Sequence, residues 1–254
     1  MADGSAGDAN YGVIGVSYAE YRQPEPAIER AINQALASAR SVLNVGAGTG
    51  SYEPQDRDVT AVEPSASMRS QRPRTLPAAI DAVAEALPFP DKSFDASLTT
   101  FSVHQWKDVG LGLSEMRRVT RGPVVILTCD PSLVQRFWLN DYAPEVLQVE
   151  SKRYPAMKRL SDGLGGSVRV ESVHIPLQCK DGFNEAYYGR PEMLLRVGAR
   201  TACSAWSFVD RTTTDAYVDH LRKDLKAGRW DRRYGQLRAL PEYDGPLRLI
   251  ISEG

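Results

Sequence analysis

Cysteine is scarce in this 254-residue chain: Cys129, Cys179 and Cys203 stand far apart, with no CxxC pair. That excludes a disulfide-stapled framework, offers no zinc-ligand spacing, and fits a reducing compartment. No apolar run approaches the roughly 18 residues that a membrane span needs. No basic residue precedes Arg22, so the charged n-region of a signal peptide is missing. An excess of one charge is missing too. The 31 Lys and Arg stand against 32 Asp and Glu, for a net charge of −1, whereas dedicated duplex-binding proteins are far more basic. Repeats and low-complexity tracts are absent. These absences point to a soluble, cytoplasmic protein with neither a membrane nor a nucleic acid as partner, and they leave the oligomeric state open. What is present is ordinary for a globular chain: 42% hydrophobic and 25% charged residues. A chain of this length buries enough surface to fold without covalent staples.

Short apolar runs of strand type occupy 41–45, 59–62, 78–83, 94–99 and 124–129, and helical pattern or turn chemistry separates them. Two later runs, 168–175 and 247–251, complete a set of seven. Strand and helix alternating in this way predict an α/β fold, a doubly wound, mostly parallel sheet with helices on both faces. Ahead of it, Tyr11, Tyr18 and Arg22 share one helical face, and 27–39 reads as an amphipathic helix. The reading is one domain over 1–254: a helical N-terminal lid (1–40), a ligand-binding core (41–130) and helical cap insertions (131–166 and 181–244).

The strongest local signal is VLNVGAGTG at 42–50, a hydrophobic run that ends in Gly46, Gly48 and Gly50. Glycines there let the strand turn sharply and let a ligand lie against bare backbone, beyond the carboxyl ends of the strands. Glu63 follows 17 residues after Gly46, at the tip of the second strand, where an acid can accept from both ribose hydroxyls of a nucleoside. The glycines read G-x-G-x-G. A dinucleotide fingerprint reads G-x-G-x-x-G, and its third glycine position is Ser51 here; no P-loop lysine follows either.

With AEALPFPDKSFDA at 84–96 and EMRRVTRGPVVIL at 115–127, this loop resembles the class I S-adenosylmethionine (SAM) dependent methyltransferases. The small-molecule branch with the ubiquinone/menaquinone-type enzymes (methyltransferase-11-like) is the most similar, over about residues 41–130. The resemblance implies a Rossmann-like, seven-stranded, mostly parallel sheet with a reversed late strand and a helical cap. It implies SAM as cofactor and S-adenosylhomocysteine (SAH) as product. Gly46, Ala47, Gly48 and Gly50 would carry the loop under the cofactor, and Glu63 would hold the ribose diol. Pro64 and Met68 would flank adenine, with Ala84 and Glu85 beside it. Phe101 would border the methionine end, while Tyr18 and Arg22 would close over the cofactor, Arg22 near its carboxylate. Three features depart from the family. Asn44 and Val83 stand where Asp is usual, and only eight residues (51–58) separate the glycine loop from the second strand. A crossover helix with its turns needs roughly 10–12 residues, so a single turn is expected.

Methyl transfer from a sulfonium is an in-line displacement that needs alignment and exclusion of water, and a base only where the acceptor must lose a proton. His104, just past the fourth expected strand, is the candidate base; the alternative is that it orients the loop or contacts SAM. Trp106, Trp138, Tyr187, Tyr188 and Trp206 are the candidate acceptor-pocket aromatics, with core packing as the alternative. His174 falls on the sixth expected strand, where alternation decides its burial, whereas His220 and the basic stretch 222–233 read as surface features. Asp130 has no second carboxylate to make a metal site, and no metal is expected. The expected activity is methyl transfer to a small-molecule acceptor, by O-methylation of a metabolite or natural product. The alternatives are an NAD-type oxidoreductase, a non-catalytic SAM-binding module and RNA methylation.

Overall fold

The computed structural model describes residues 5–6, 9–10 and 18–253, with side chains from Glu20 onward. Six strands form the central sheet: β1 (Ser41–Val45), β2 (Asp58–Val62), β3 (Ala96–Thr100), β4 (Val124–Cys129), β5 (Ser167–Ser172) and β6 (Leu247–Glu253). Their spatial order is β2-β1-β3-β4-β6-β5. The β1–β2, β1–β3 and β3–β4 pairs are parallel, and β6 runs antiparallel to both its neighbours.

Alternation along the strands divides the core. Val42, Leu98, Val125 and Leu127 face one side, where α1 (Pro26–Ala35) packs through Ile28 and Ile32. Leu43, Val45, Val124 and Ile126 face the other, with Leu113 and Met116 of α3 (Val109–Val119). Because β4 is buried at all six positions, its VVILTC reads as one continuous apolar run. The helices start where side chains replace missing backbone acceptors: Glu25 accepts from Ala27 N and Asp108 from Leu111 N. Between them, Ser65 caps the short α2 (Ala66–Ser70).

The seventh strand expected at 78–83 is reduced to one bridge beside β2. Ile80 N donates to Ala61 O at 2.8 Å and Glu63 N donates to Ile80 O at 3.0 Å. Pro77 has no N–H to extend the ladder, and Asp81 turns away to an ion pair with Arg69. The run at 168–175 also divides. β5 stops at Ser172, and Ile175–Pro176 pairs instead with Glu242–Tyr243. As the edge strand, β5 carries Arg169, ion-paired with Glu171 and Glu253, which blunts the exposed edge.

Within 131–166, α4 (Pro144–Arg153) joins the cap, whereas α5 (Met157–Leu164) returns to the sheet and buries Leu160 and Leu164 against the α3 side. The rest of 131–166 and 181–244 is mostly short 3-10 turns, three further short helices (Pro131–Val134, Val197–Thr201 and Arg229–Tyr234) and the longer α6 (Arg211–Lys226).

No helix joins β1 to β2. A buried polar network supports the turn instead. Asn44 Nδ2 donates to Glu53 Oε1 at 3.0 Å, and Arg72 Nη2 donates to Glu53 Oε2 at 2.8 Å. The Glu53 and Arg72 side chains are only 1% and 3% exposed, so each needs the other's charge. An Asp at position 44 would set a second carboxylate against Glu53, whereas Asn donates to it. Arg72→Met therefore strands a buried carboxylate, and urea unfolding should show a loss of about 3 kcal/mol. In the Glu53→Gln/Arg72→Met double variant at least about 1 kcal/mol of that loss should return.

Candidate cofactor site

A cavity of about 540 Å³ opens where β1, β2 and β3 end. Its floor is the glycine loop. Gly46 (φ +67°) and Gly48 (φ +53°) have left-handed backbone, and a Cβ on Gly46 would fall 1.9 Å from Ser102 Oγ. Ser102 in turn accepts a hydrogen bond from Trp106 Nε1 at 3.0 Å, which stands the indole on the cavity wall. Ala47 also lines the floor, its N–H donating to Val62 O. Gly50 (φ +96°) turns the other way, toward Leu76 and Arg72, and supports the loop from behind.

Glu63, at the end of β2, is 3% exposed and lines the cavity. Gly48 N donates to its Oε2 and Ser65 N to its Oε1, each at 2.8 Å, which fixes the carboxylate and leaves lone pairs on both oxygens. Burial pushes its pKa above the ordinary glutamate value, while the two N–H donors and the charges of Arg69 and Arg72 oppose the shift. Pro64 and Met68 form one wall; Ala84, Glu85 and the exposed Val83 form another. Glu85 accepts from Asp108 N at 3.0 Å, which ties the 84–85 segment to the start of α3.

Arg22 and Phe101 close the far end. Phe101 follows β3 with φ +49°, a conformation rare for a bulky residue. The Arg22 guanidinium lies 5.1 Å over its ring. Arg22 Nε donates to Asp181 Oδ1 at 2.5 Å, and Tyr52 OH donates to Asp181 Oδ2 at 2.9 Å. Burial and Asp181 both raise the Tyr52 pKa, so the phenol stays protonated and remains a donor. Asp181, Tyr52, Ser102 and Gln105 line the cavity without having been anticipated. Asp181 lies 159 residues from Arg22, and no local motif marks it.

Of the other expected residues, Tyr18 opens the turn Tyr18–Tyr21, but its side chain and all of Tyr11 lie outside the described residues. His104 does not line the main cavity. It borders a second, smaller pocket behind Phe101. Burial, with the charges of Arg153 and Arg22, holds its pKa well below the ordinary histidine value. The structure does not bring Trp138, Tyr187, Tyr188 and Trp206 to the cavity wall. They are 5%, 2%, 0% and 6% exposed, packed in the core beneath the cap. Their polar atoms are spent internally: Trp138 Nε1 donates to Tyr188 O, Tyr188 OH to Leu240 O, and Trp206 Nε1 to Asn184 Oδ1. Asp130 caps the turn Pro131–Val134, and no His, Cys, Asp and Glu group among the described residues is arranged for a metal. In the basic stretch, Arg222, Arg229 and Arg233 pair with Asp219, Asp224 and Asp141. No helix among the described residues is long and apolar enough to cross a membrane.

The family described as "Methyltransferase domain" matches residues 43–127, the stretch that builds this cavity's floor and walls. The chain is 30% identical over 171 residues to the demethylmenaquinone methyltransferase of Porphyromonas gingivalis, covering 58% of this chain and 69% of the relative. The chain belongs to the class I SAM-dependent methyltransferases. Its cofactor is therefore SAM, and the nicotinamide alternative falls. A solved structure assigned to an antibiotic biosynthesis pathway in Anabaena variabilis matches this methyltransferase with a TM-score of 0.85 and 30% identity, over 92% of this chain and 99% of that one. A geranyl diphosphate C-methyltransferase from Streptomyces coelicolor shares the fold at TM-score 0.53 and 13% identity, over 89% of this chain and 75% of that one. Among the described residues the central sheet of this methyltransferase has six strands rather than the expected seven, because of the single bridge at Ile80.

The close fit at Gly46 makes a sharp test. Gly46→Ala combines left-handed backbone strain with an overlap on Ser102, and should cost about 2 kcal/mol or more in urea unfolding. Gly46→Ala/Ser102→Gly should recover the steric part of that loss.

Proposed function

We propose that the 540 Å³ cavity holds SAM over the Gly46–Ala47–Gly48 turn and delivers its methyl group to a hydroxyl of a small metabolite. The observation that carries this reading is one buried carboxylate, Glu63, facing the same cavity as a backbone cradle that a Cβ at Gly46 would fill. The group suits that donor set: a diol donates to a fixed carboxylate, and the sulfonium-bearing chain lies on bare backbone. When bound, SAM supplies an electrophilic methyl carbon on a positively charged sulfur.

The chain's own residues do the rest. Glu63 accepts from the ribose hydroxyls with the lone pairs left by Gly48 and Ser65. Pro64 and Met68 pack one face of the adenine, and Ala84 and Glu85 its edge, with backbone supplying the polar contact because Val83 has none to offer. Arg22 and Asp181 bind the zwitterionic end, guanidinium to carboxylate and carboxylate to ammonium. Gly50 supports the loop from behind, and Tyr18 joins Arg22 in the lid. Trp106 and Phe101 exclude water from the methyl group. His104 is too weakly basic to be the favoured proton acceptor, and its place behind Phe101 suits an orienting role. The relatives favour a small acceptor: one acts on demethylmenaquinone and the other is assigned to antibiotic biosynthesis.

Calorimetric titration with SAM and SAH tests the reading. Two charge-assisted hydrogen bonds are worth about 3 kcal/mol, so Glu63→Ala should weaken binding about 100-fold. Micromolar binding that Glu63→Ala leaves unchanged would overturn it. The raised pKa of Glu63 sets the pH dependence. The bound diol needs the ionised form, so binding releases a proton whenever the free protein holds Glu63 protonated. Affinity should fall about tenfold per pH unit below that raised value, and Glu63→Gln should flatten the dependence.

A further inference from the structure

Tyr52 takes left-handed backbone (φ +63°) in the turn between β1 and β2, a conformation rare for a bulky residue and of the kind that gathers at functional positions. It is 3% exposed and borders the main cavity. Its hydroxyl is engaged on both sides. It accepts from Glu25 N at 3.2 Å and donates its one proton to Asp181 Oδ2 at 2.9 Å.

Asp181 reaches the cavity on a segment whose backbone is already fixed. It forms an antiparallel bridge with Arg22, Gly182 N donates to Tyr21 O at 2.7 Å, and Lys180 N donates to Glu25 Oε2 at 2.9 Å. A Cβ on Gly182 would stand 2.7 Å from Tyr21 O, so the two segments lie as close as glycine allows. What remains adjustable is the Asp181 carboxylate itself. Arg22 Nε holds its Oδ1 at 2.5 Å. The second contact of the pair, Arg22 Nη2 to Oδ2, is 3.5 Å, beyond the usual range of about 2.7–3.2 Å.

An arginine and a carboxylate left to themselves close a bidentate fork of two short, parallel bonds. Tyr52 competes for the oxygen that would complete it. A closed fork would commit both Asp181 oxygens to Arg22. The half-open pair instead has Oδ2 oriented by a neutral hydroxyl, which takes one lone pair and leaves the oxygen able to accept from an ammonium. We propose that Tyr52 is a positioning residue for the cofactor's amino-acid end: its hydroxyl holds the Asp181 carboxylate half open on Arg22, oriented to receive the ammonium. The inference rests on the SAM reading above and deepens it, by naming the group that sets recognition of the zwitterion. The adenosine is held by other residues, Glu63, Pro64 and Met68 among them. The effect of Tyr52 is therefore confined to ligands that carry the zwitterion.

The test is calorimetric titration with SAH and with 5′-methylthioadenosine (MTA), which keeps the adenosine and the thioether but has neither carboxylate nor ammonium. Tyr52→Phe keeps the ring and removes only the hydroxyl. It should weaken SAH about tenfold, the worth of one hydrogen bond to a charged group, and leave MTA within about twofold. Damage to the glycine loop would weaken both ligands alike, and that result would overturn the proposal, as would SAH affinity unchanged by Tyr52→Phe. In an Asp181→Ala background Tyr52→Phe should change SAH affinity less than about twofold, because the hydroxyl acts through the carboxylate. A full tenfold loss in that background would equally overturn it. Failure of SAH to bind the wild-type protein would instead strike the function proposed above. Should Tyr52→Phe not fold, or MTA bind too weakly to compare, a crystal structure of the wild-type protein with SAH decides. The SAH ammonium within hydrogen-bond distance of Asp181 Oδ2, with Tyr52 still on that oxygen, supports the assignment, and an ammonium placed anywhere else overturns it.

Discussion

The crossover from β1 to β2 is too short to contain a helix, and much of the site's interior follows from that constraint. A helix would ordinarily brace the glycine loop from behind. Here turns carry the chain, Tyr52 among them with φ +63°, and buried polar groups do the bracing. Asn44, Glu53 and Arg72 form one brace, and Arg72 also reaches Gly48 O, so the pair that stabilises the turn touches the loop itself. Tyr52 leads to the other brace, donating to Asp181, which holds Arg22. The glycine loop is thereby joined to Asp181 and Arg22 through hydrogen bonds rather than through packed helix faces.

That linkage gives Arg22 two neighbours of different character. On one side it is neutralised by Asp181 within the main cavity; on the other it shares with Phe101 the wall of the smaller pocket. A single guanidinium thus borders both spaces. His104 feels its charge as a loss of basicity, and Glu150 as relief of its burial.

Much of the fold was legible because its signals are local. The VVILTC run, the glycine turn and Glu63 at the strand tip each depend on residues within a few positions of one another. The failures have equally physical causes. Residues 78–83 have the composition of a strand, but a strand needs a neighbour along its length, and Pro77 and Asp81 limit the pairing to Ile80. The aromatics of the cap lie in short 3-10 turns without a sustained period, so the sequence carried no sign of which way Trp138 or Tyr188 would point.

What the sequence by itself determined is the alternation of strand and helix, the bare backbone at Gly46 and Gly48, and the acid that faces it. Periodicity and backbone sterics act over a few residues and are written there directly. Only the tertiary structure decided that Asp181 meets Arg22, that Glu53 takes the place of an acid at position 44, and that His104 lies behind Phe101. Those outcomes rest on charges buried together from distant parts of the chain. A buried charge is stable only beside its partner, and the partner is chosen by the fold.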